Sequence, residues 1–201
     1  MVFKRRKSLS LGRKIREGIF PEKGWSRAAE YMMARIKRLP DSPTNIAFGV
    51  AIGVFVSFSP FFGIHVLLAF LIARFLRVNI LAAILGTFMG NPVTFPIIAA
   101  FNFGVGGLFI DVSKEGVAEK TFLEQLVDVS YALSENVKKI FLGHDTDFST
   151  TIEFFYGIFL PYLVGGFILG SIAATISYFI VTPAIATYRS RKLRKKLKRK
   201  N

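Results

Sequence analysis

The chain has 201 residues, of which 52% are hydrophobic and 22 are Phe, with 27 Lys and Arg against 13 Asp and Glu. A mean hydropathy of +0.45 together with a net charge of +14 requires apolarity and basicity to occupy different stretches. The absence of Cys excludes disulfides, thiol catalysis and cysteine-held zinc or iron–sulfur clusters, and two His argue against a histidine-built metal site.

The charge map defines the class. Residues 1–41 carry a net charge of +8, residues 42–110 contain only Arg74 and Arg77, residues 111–153 carry −5, and residues 154–201 carry +9 with no acid. Three uncharged runs result, 42–73, 78–110 and 154–188, each longer than the roughly 18 apolar residues that mark a membrane span. A soluble core in a chain of this length cannot enclose so many apolar residues. The expectation is an all-α integral membrane protein, with Pro-broken or re-entrant hairpins, spanning helices, basic cytoplasmic ends and one amphipathic soluble helix. Its parts are a basic leader (1–41), a membrane domain (42–188) and a basic tail (189–201).

In chain order, residues 1–20 are basic and poor in aromatics, and are expected to be mobile. Trp25, Ala28, Ala29, Met32, Ile36 and Leu39 recur at helical spacing. This helix either lies in the membrane interface or packs on the protein's own cytoplasmic side. Pro40 and Ser42-Pro43 stop it.

The apolar run Ile46 to Ala73 is 28 residues long, about 42 Å as one helix against a hydrocarbon core of about 30 Å. Ser57-Phe58-Ser59-Pro60-Phe61-Phe62-Gly63 interrupts it at the middle. Pro60 removes a donor and disfavours helix at Ser59, while Gly63 permits a turn. The next run repeats the layout: Val78 to Gly90, then Asn91-Pro92-Val93-Thr94-Phe95-Pro96, then Ile97 to Ile110. Paired Pro-interrupted segments point to a binding site between broken helices. Pro-kinked spans are the alternative, since membrane helices tolerate Pro.

Residues 111–153 are acidic. Thr121-x-x-Glu124 is a capping box, and Phe122, Leu126, Val129, Leu133, Val137 and Ile140 form one amphipathic helix. Gly143-His144-Asp145-Thr146-Asp147 reads as a turn with too few ligands for a cation. In the last run, Tyr162 to Val181 makes one span that Pro183 is expected to end. Gly166, Gly170, Ala173 and Ala174 form a small-residue stripe, suited to contact between copies through Gly166, Gly170 and Ala174.

The positive-inside rule places the leader, the Arg74/Arg77 turn and the tail in the cytoplasm, and the acidic loop outside. A hairpin at 46–73, an outward crossing and a returning last run satisfy all four. The tail lacks aromatic stacking residues and follows an apolar segment directly, so anionic lipid headgroups rather than nucleic acid are its expected partner. The expected location is the bacterial inner membrane with both termini cytoplasmic.

Ser59-Pro60-Phe61-Phe62-Gly63-Ile64-His65, Arg77-Val78-Asn79, Gly86-Thr87 and Asn91-Pro92-Val93-Thr94-Phe95-Pro96 together resemble a bacterial membrane family catalogued as domain of unknown function 2062. The resemblance covers roughly residues 25–190. It implies an inner-membrane protein, and fusions of some relatives to glycosyltransferase domains hint at lipid-linked sugar metabolism. It implies no catalytic residue.

The candidate substrate-pathway residues are Ser59, Pro60, Gly63, His65, Asn79, Asn91, Pro92 and Thr94, with Arg74 and Arg77 as headgroup contacts. His65 is the only ionisable group well inside an uncharged run, which suits a proton relay, a headgroup contact or a helix–helix hydrogen bond. The Asn, Ser and Thr groups either satisfy backbone freed at the breaks or line a polar pocket. No metal, cofactor or enzymatic constellation is expected, for the apolar region holds no paired carboxylates and no nucleophile–base pair. Two functions remain: a small transporter or lipid-phosphate translocase, and a non-transporting scaffold for a cytoplasmic partner such as a glycosyltransferase.

Overall fold

The computed structural model describes residues 25–61, 63–110 and 122–198. The basic leader to residue 24, Phe62, the capping-box Thr121 and the end of the tail lie outside the described residues, as do the side chains of Trp25, Ala28, Ala29, Phe122 and Leu126. All regular structure among the described residues is helical. The elements are α1 (Trp25–Ile36), α2 (Pro43–Ser57), α3 (His65–Phe75), α4 (Ile80–Gly86) with a 3₁₀ turn (Thr87–Met89), α5 (Phe95–Gly106), α6 (Phe122–Leu142), α7 (Ser149–Phe154), a π turn (Phe155–Phe159) and α8 (Leu160–Leu197).

Helix α2 is the centre. Ser42 caps it by accepting the Asn45 N–H at 3.2 Å, and Pro43 occupies the first turn, where no donor is needed. It is apolar on every side and buried from Ile46 to Ser57 except at Phe48 and Phe55. Helix α8 runs antiparallel to it: Phe48 meets Tyr178 edge-on at 6.4 Å, and Phe55 meets Phe167 at 5.7 Å. Helix α4 runs parallel to α2, with Asn79 and Ala82 beside Gly49, Gly86 beside Gly53, and Gly90 beside Ser57. Helix α3 packs on both through Ala69 and Ala73 against Ile52, Val56 and Ala83.

These pairings need small residues. A Cβ on Gly53 would stand 2.1 Å from the Ala83 carbonyl oxygen, and one on Gly86 would stand 2.5 Å from that of Val50. Backbone therefore meets backbone, as in membrane helix pairs held by dispersion and small residues.

Below the end of α2, helix α5 takes over as the partner of α8. Asn102 lies against Gly165, and Gly106 against Pro161. Two helices of 15 and 12 residues, about 22 and 18 Å, thus share the length of one 38-residue helix of about 57 Å.

One helical stretch, Ser149–Lys195, is long and apolar enough to cross a membrane, and only 22% of its most apolar window is buried. That low burial separates it from the core helix of a soluble protein. Large apolar residues of α3 (Leu67, Phe70, Leu71), α5 (Ile97, Phe101) and α8 (Phe167, Ile176, Phe179) are also exposed. An apolar exterior of this extent supports association with a membrane.

Two expectations need correction. Pro183 does not end the last helix, which continues through it to Leu197. Val181 and Ile185 are buried on either side of it, and Arg189 is anchored beyond it, so tertiary packing outweighs the lost backbone bond. The small-residue stripe of α8 is used inside the chain at its glycines, where a Cβ on Gly166 would lie 2.1 Å from the Phe58 carbonyl oxygen and one on Gly170 3.0 Å from Phe58 Cβ. The amphipathic acidic helix is present as α6, with Val129 and Asn136 buried and Leu133, Val137 and Ile140 exposed.

Of the two places offered to α1, packing on the protein is observed at its C-terminal end, where Ile36 and Leu39 join Ile46, Val181 and Ile185 in the core. In the turn before α7, Asp147 accepts the Ser149 N–H at 2.9 Å, and this backbone hydrogen bond holds its carboxyl below the usual carboxylate range.

The close approach of α2 and α4 predicts unequal glycine substitutions. Gly53→Ala should cost about 1–3 kcal/mol by overpacking against backbone. Gly104→Ala, on an open face of α5 with nothing within 4 Å of the added carbon, should be neutral or stabilise by up to about 1 kcal/mol. Thermal unfolding of detergent-solubilised protein measures both.

Candidate functional site: the paired helix breaks

The first break begins where α2 ends. Phe58 is its C-cap, and Pro60 prevents the helix from resuming at once. Gly63 then turns the chain at φ +83°, and His65 opens α3. Nothing lies within 4 Å of a Cβ built on Gly63, so the position demands glycine for its backbone angle and not for close approach. His65 is half-buried, and its Nε2 lies 3.3 Å from the Ser59 carbonyl oxygen, bracing the turn from within. Ser59 Oγ donates to Val56 O at 2.7 Å.

The second break is a compact polar turn. Asn91 Oδ1 accepts the N–H groups of Val93 and Thr94 at 2.9 and 3.2 Å, and its Nδ2 donates to Phe88 O at 3.1 Å. Thr94 Oγ1 accepts the Asn91 N–H and donates back to Met89 O. This Asx arrangement closes the 3₁₀ end of α4 and launches α5, with Pro96 in its first turn.

The two breaks meet. Ser57 Oγ lies 3.0 Å from Gly53 O and 3.2 Å from Thr87 O, so one proton is shared between its own helix and the other break. A Cβ on Gly90 would touch Ser57 Cβ at 3.0 Å. Asn102 closes the arrangement from α5. It is fully buried, and its Nδ2 donates at 2.8 Å to Phe58 O, a carbonyl that the end of α2 leaves without a helical partner. Tyr162 from α8 is buried nearby, its ring edge-on to that of Phe103 at 5.2 Å. Neither Ser57 nor Asn102 stands out in sequence as more than an uncharged polar residue in an apolar run, and Tyr162 reads only as the start of a span.

The structure thus brings Ser59, Pro60, Gly63 and His65 together in one turn, and Asn91, Pro92 and Thr94 in the other. It places Asn79 elsewhere. Asn79 Oδ1 caps α4 by accepting the Ala82 N–H at 2.7 Å, and its Nδ2 donates to the carboxylate of Asp41. Arg189 reaches the same corner, donating to the carbonyls of Leu39, at 2.6 Å, and Asp41. These hydrogen bonds of loop and tail therefore tie α1, α2, α4 and α8 at the end opposite the breaks.

Arg74 and Arg77 are exposed at that end too, where α3 turns into α4. Arg77 adopts φ 56°, and the Val78 N–H bonds Ala73 O at 3.0 Å in a Schellman closure that glycine usually supplies. Holding Arg there costs about 1–2 kcal/mol.

No group of three or more His, Asp or Glu suited to a metal is present among the described residues. A cavity does open away from the breaks. It has a volume of about 720 Å³ and is lined by Ser42, Thr44, Asn45, Phe48, Ala51, Ala174, Thr175 and Tyr178, between the first turns of α2 and the facing part of α8.

The fold and the joined breaks define an all-helical protein of the membrane-associated class, organised on one membrane-length helix. Over residues 26–194 the chain matches the family model described as an uncharacterized protein conserved in bacteria (DUF2062), and it belongs to that family. No curated protein and no solved structure matches it.

The joint predicts two further outcomes. Asn102→Ala strips the donor from a buried carbonyl and should cost about 1–2 kcal/mol of unfolding free energy in detergent. Gly63→Leu should cost at least about 1 kcal/mol more than Ile64→Leu, because only the first places a side chain at positive φ. Denaturant titration of the purified variants checks both values.

Proposed function

We propose that the protein is a multi-pass component of the bacterial inner membrane that binds and translocates a lipid or lipid phosphate. In this reading Ile46 to Ala73 is a re-entrant hairpin: α2 enters to the level of Pro60 and α3 returns. Helices α4 and α5 together make one outward crossing broken at Asn91-Pro92, and α8 crosses back. Both basic ends and the Arg74/Arg77 turn then face the cytoplasm, in accord with the positive-inside rule.

The observation that carries the proposal is the meeting of the two breaks through Ser57, Thr87, Gly90 and Asn102. Interrupted helices are costly in hydrocarbon, where each unsatisfied backbone group costs several kcal/mol. Transporter folds place such paired breaks where substrate binds, and rock one half against the other around them. The glycine contacts of α2 with α4 and α8 provide closely fitted backbone surfaces on which such a movement can occur.

The scaffold reading is favoured by a different observation. The polar groups of Ser59, Asn91 and Thr94 are spent within their own turns, and α2 fits backbone to backbone against its neighbours. A protein that only positions a cytoplasmic partner needs nothing more.

Reconstitution distinguishes them. Vesicles containing the protein should move a fluorescent lipid phosphate between leaflets faster than protein-free vesicles. Ser57→Ala, which removes the shared proton and adds no atom to the packed joint, should slow that movement at least tenfold while the protein remains folded. Movement no faster than in protein-free vesicles defeats the translocase and leaves the scaffold. A C-terminal reporter found in the periplasm defeats the topology.

A further inference from the structure

We infer that the groove between α2 and α8 is a binding site for one anionic phospholipid. The inference rests on the membrane placement proposed above, and not on translocation.

The groove is amphipathic along its length. Helices α2 and α8 are antiparallel here, so Ser42, Thr44 and Asn45 form one end, while Phe48 faces Tyr178, and Ala51, Ala174 and Thr175 lie deeper. From Ser42 to Ala51 the groove follows α2 for nine residues, about 14 Å. That is long enough for a glycerol backbone and the upper part of an acyl chain. The two alanines leave the space, and the Phe48 and Tyr178 rings wall it.

Polar capacity is concentrated where a headgroup would sit. Ser42 Oγ is engaged by the Asn45 N–H and by Thr44 Oγ1, whereas the Asn45 side-chain amide makes no hydrogen bond among the described residues. At the deep end Thr175 turns its proton inward to Ser171 O at 2.8 Å, so that end offers no donor from this hydroxyl.

Charge selects the sign of the occupant. The polar end of the groove lies at the end of the molecule where Arg35, Lys37, Arg38, Arg189, Arg191, Lys192, Arg194 and Lys195 are found. The acid nearest in sequence, Asp41, has its carboxylate bonded by Asn79. An anionic headgroup is attracted to such a surface, at about 1 kcal/mol per near-surface basic residue. On α8, Ile172 and Ile176, neighbours in sequence of the lining residues Ala174 and Thr175, are exposed, an apolar surface suited to the hydrocarbon that delivers a lipid.

The test is native mass spectrometry of the full-length protein in detergent, with phosphatidylglycerol or phosphatidylcholine of identical acyl chains. One phosphatidylglycerol should be retained in preference to phosphatidylcholine. Asn45→Leu, which removes the unbonded amide of the polar end, and Ala174→Phe, which fills the floor, should each weaken that retention at least tenfold. Melting temperatures confirm that each variant is folded, and Asn45→Leu carries the test if Ala174→Phe is not. Equal retention of the two lipids, or undiminished phosphatidylglycerol binding by folded Asn45→Leu, overturns the inference. So does a protein dimer that excludes lipid and dissociates on Ala174→Phe, since a second copy would then occupy the groove. Phosphatidylglycerol retention by a protein that moves no lipid phosphate upholds the groove and rejects translocation alone.

Discussion

The hydrogen bond from Asn102 to the Phe58 carbonyl is the interaction on which the rest of the arrangement depends. A helix that stops after 15 residues leaves its last carbonyls without partners, and in an apolar surrounding water does not replace them. Asn102 supplies a donor from a helix 44 residues further along the chain. It also sets the height at which α5 meets α8, because Gly165 and Gly166 must pass directly against Asn102 and Phe58. Stopping α2 and starting the lower half of the molecule are therefore one structural event.

Backbone proximity is the second constraint, and it follows from the first. If the solvent is hydrocarbon, burying apolar side chains gains little, and helices adhere through dispersion between closely fitted surfaces. Glycines at 49, 53, 86, 165 and 166 permit that fit, each at a position where a Cβ would fall within 2.5 Å of backbone oxygen. The large side chains that a soluble protein would bury are carried outside, on α3, α5 and α8. Small residues line these backbone contacts, while larger side chains such as Tyr162, Ile46 and Ile185 are buried between them.

The two ends of α8 are held by different chemistry. At one end Pro161 lies on Gly106, and the π turn that precedes it relaxes the helix where a proline ring would crowd the previous turn. At the other, Arg189 binds the carbonyls of Leu39 and Asp41, while Asn79 binds the Asp41 carboxylate. This corner gives Asp41, the last acid before a long uncharged stretch, a structural task that its charge alone does not reveal. The groove opens beside the same corner, so the anchoring of the tail and the polar mouth of the cavity share one end of the molecule.

Much of this was determined by the sequence. Uncharged runs, the positions of Pro60 and Asn91-Pro92, and the turn at Gly63 are set by local physics: charge desolvation, the missing proline donor and permitted φ. Helix types and break positions could accordingly be read residue by residue, as could the family through its spaced motifs. Tertiary structure alone decided which polar residue serves which carbonyl. Ser57 and Asn102 join the breaks, whereas Asn79, in an equally apolar run, bonds Asp41 at the far end. It also decided that Pro183 remains within a helix and that the α8 glycines meet α2 and α5 of the same chain. Each of these depends on pairing between segments tens of residues apart, and a pattern read along one strand of sequence contains no term for the register in which two helices meet.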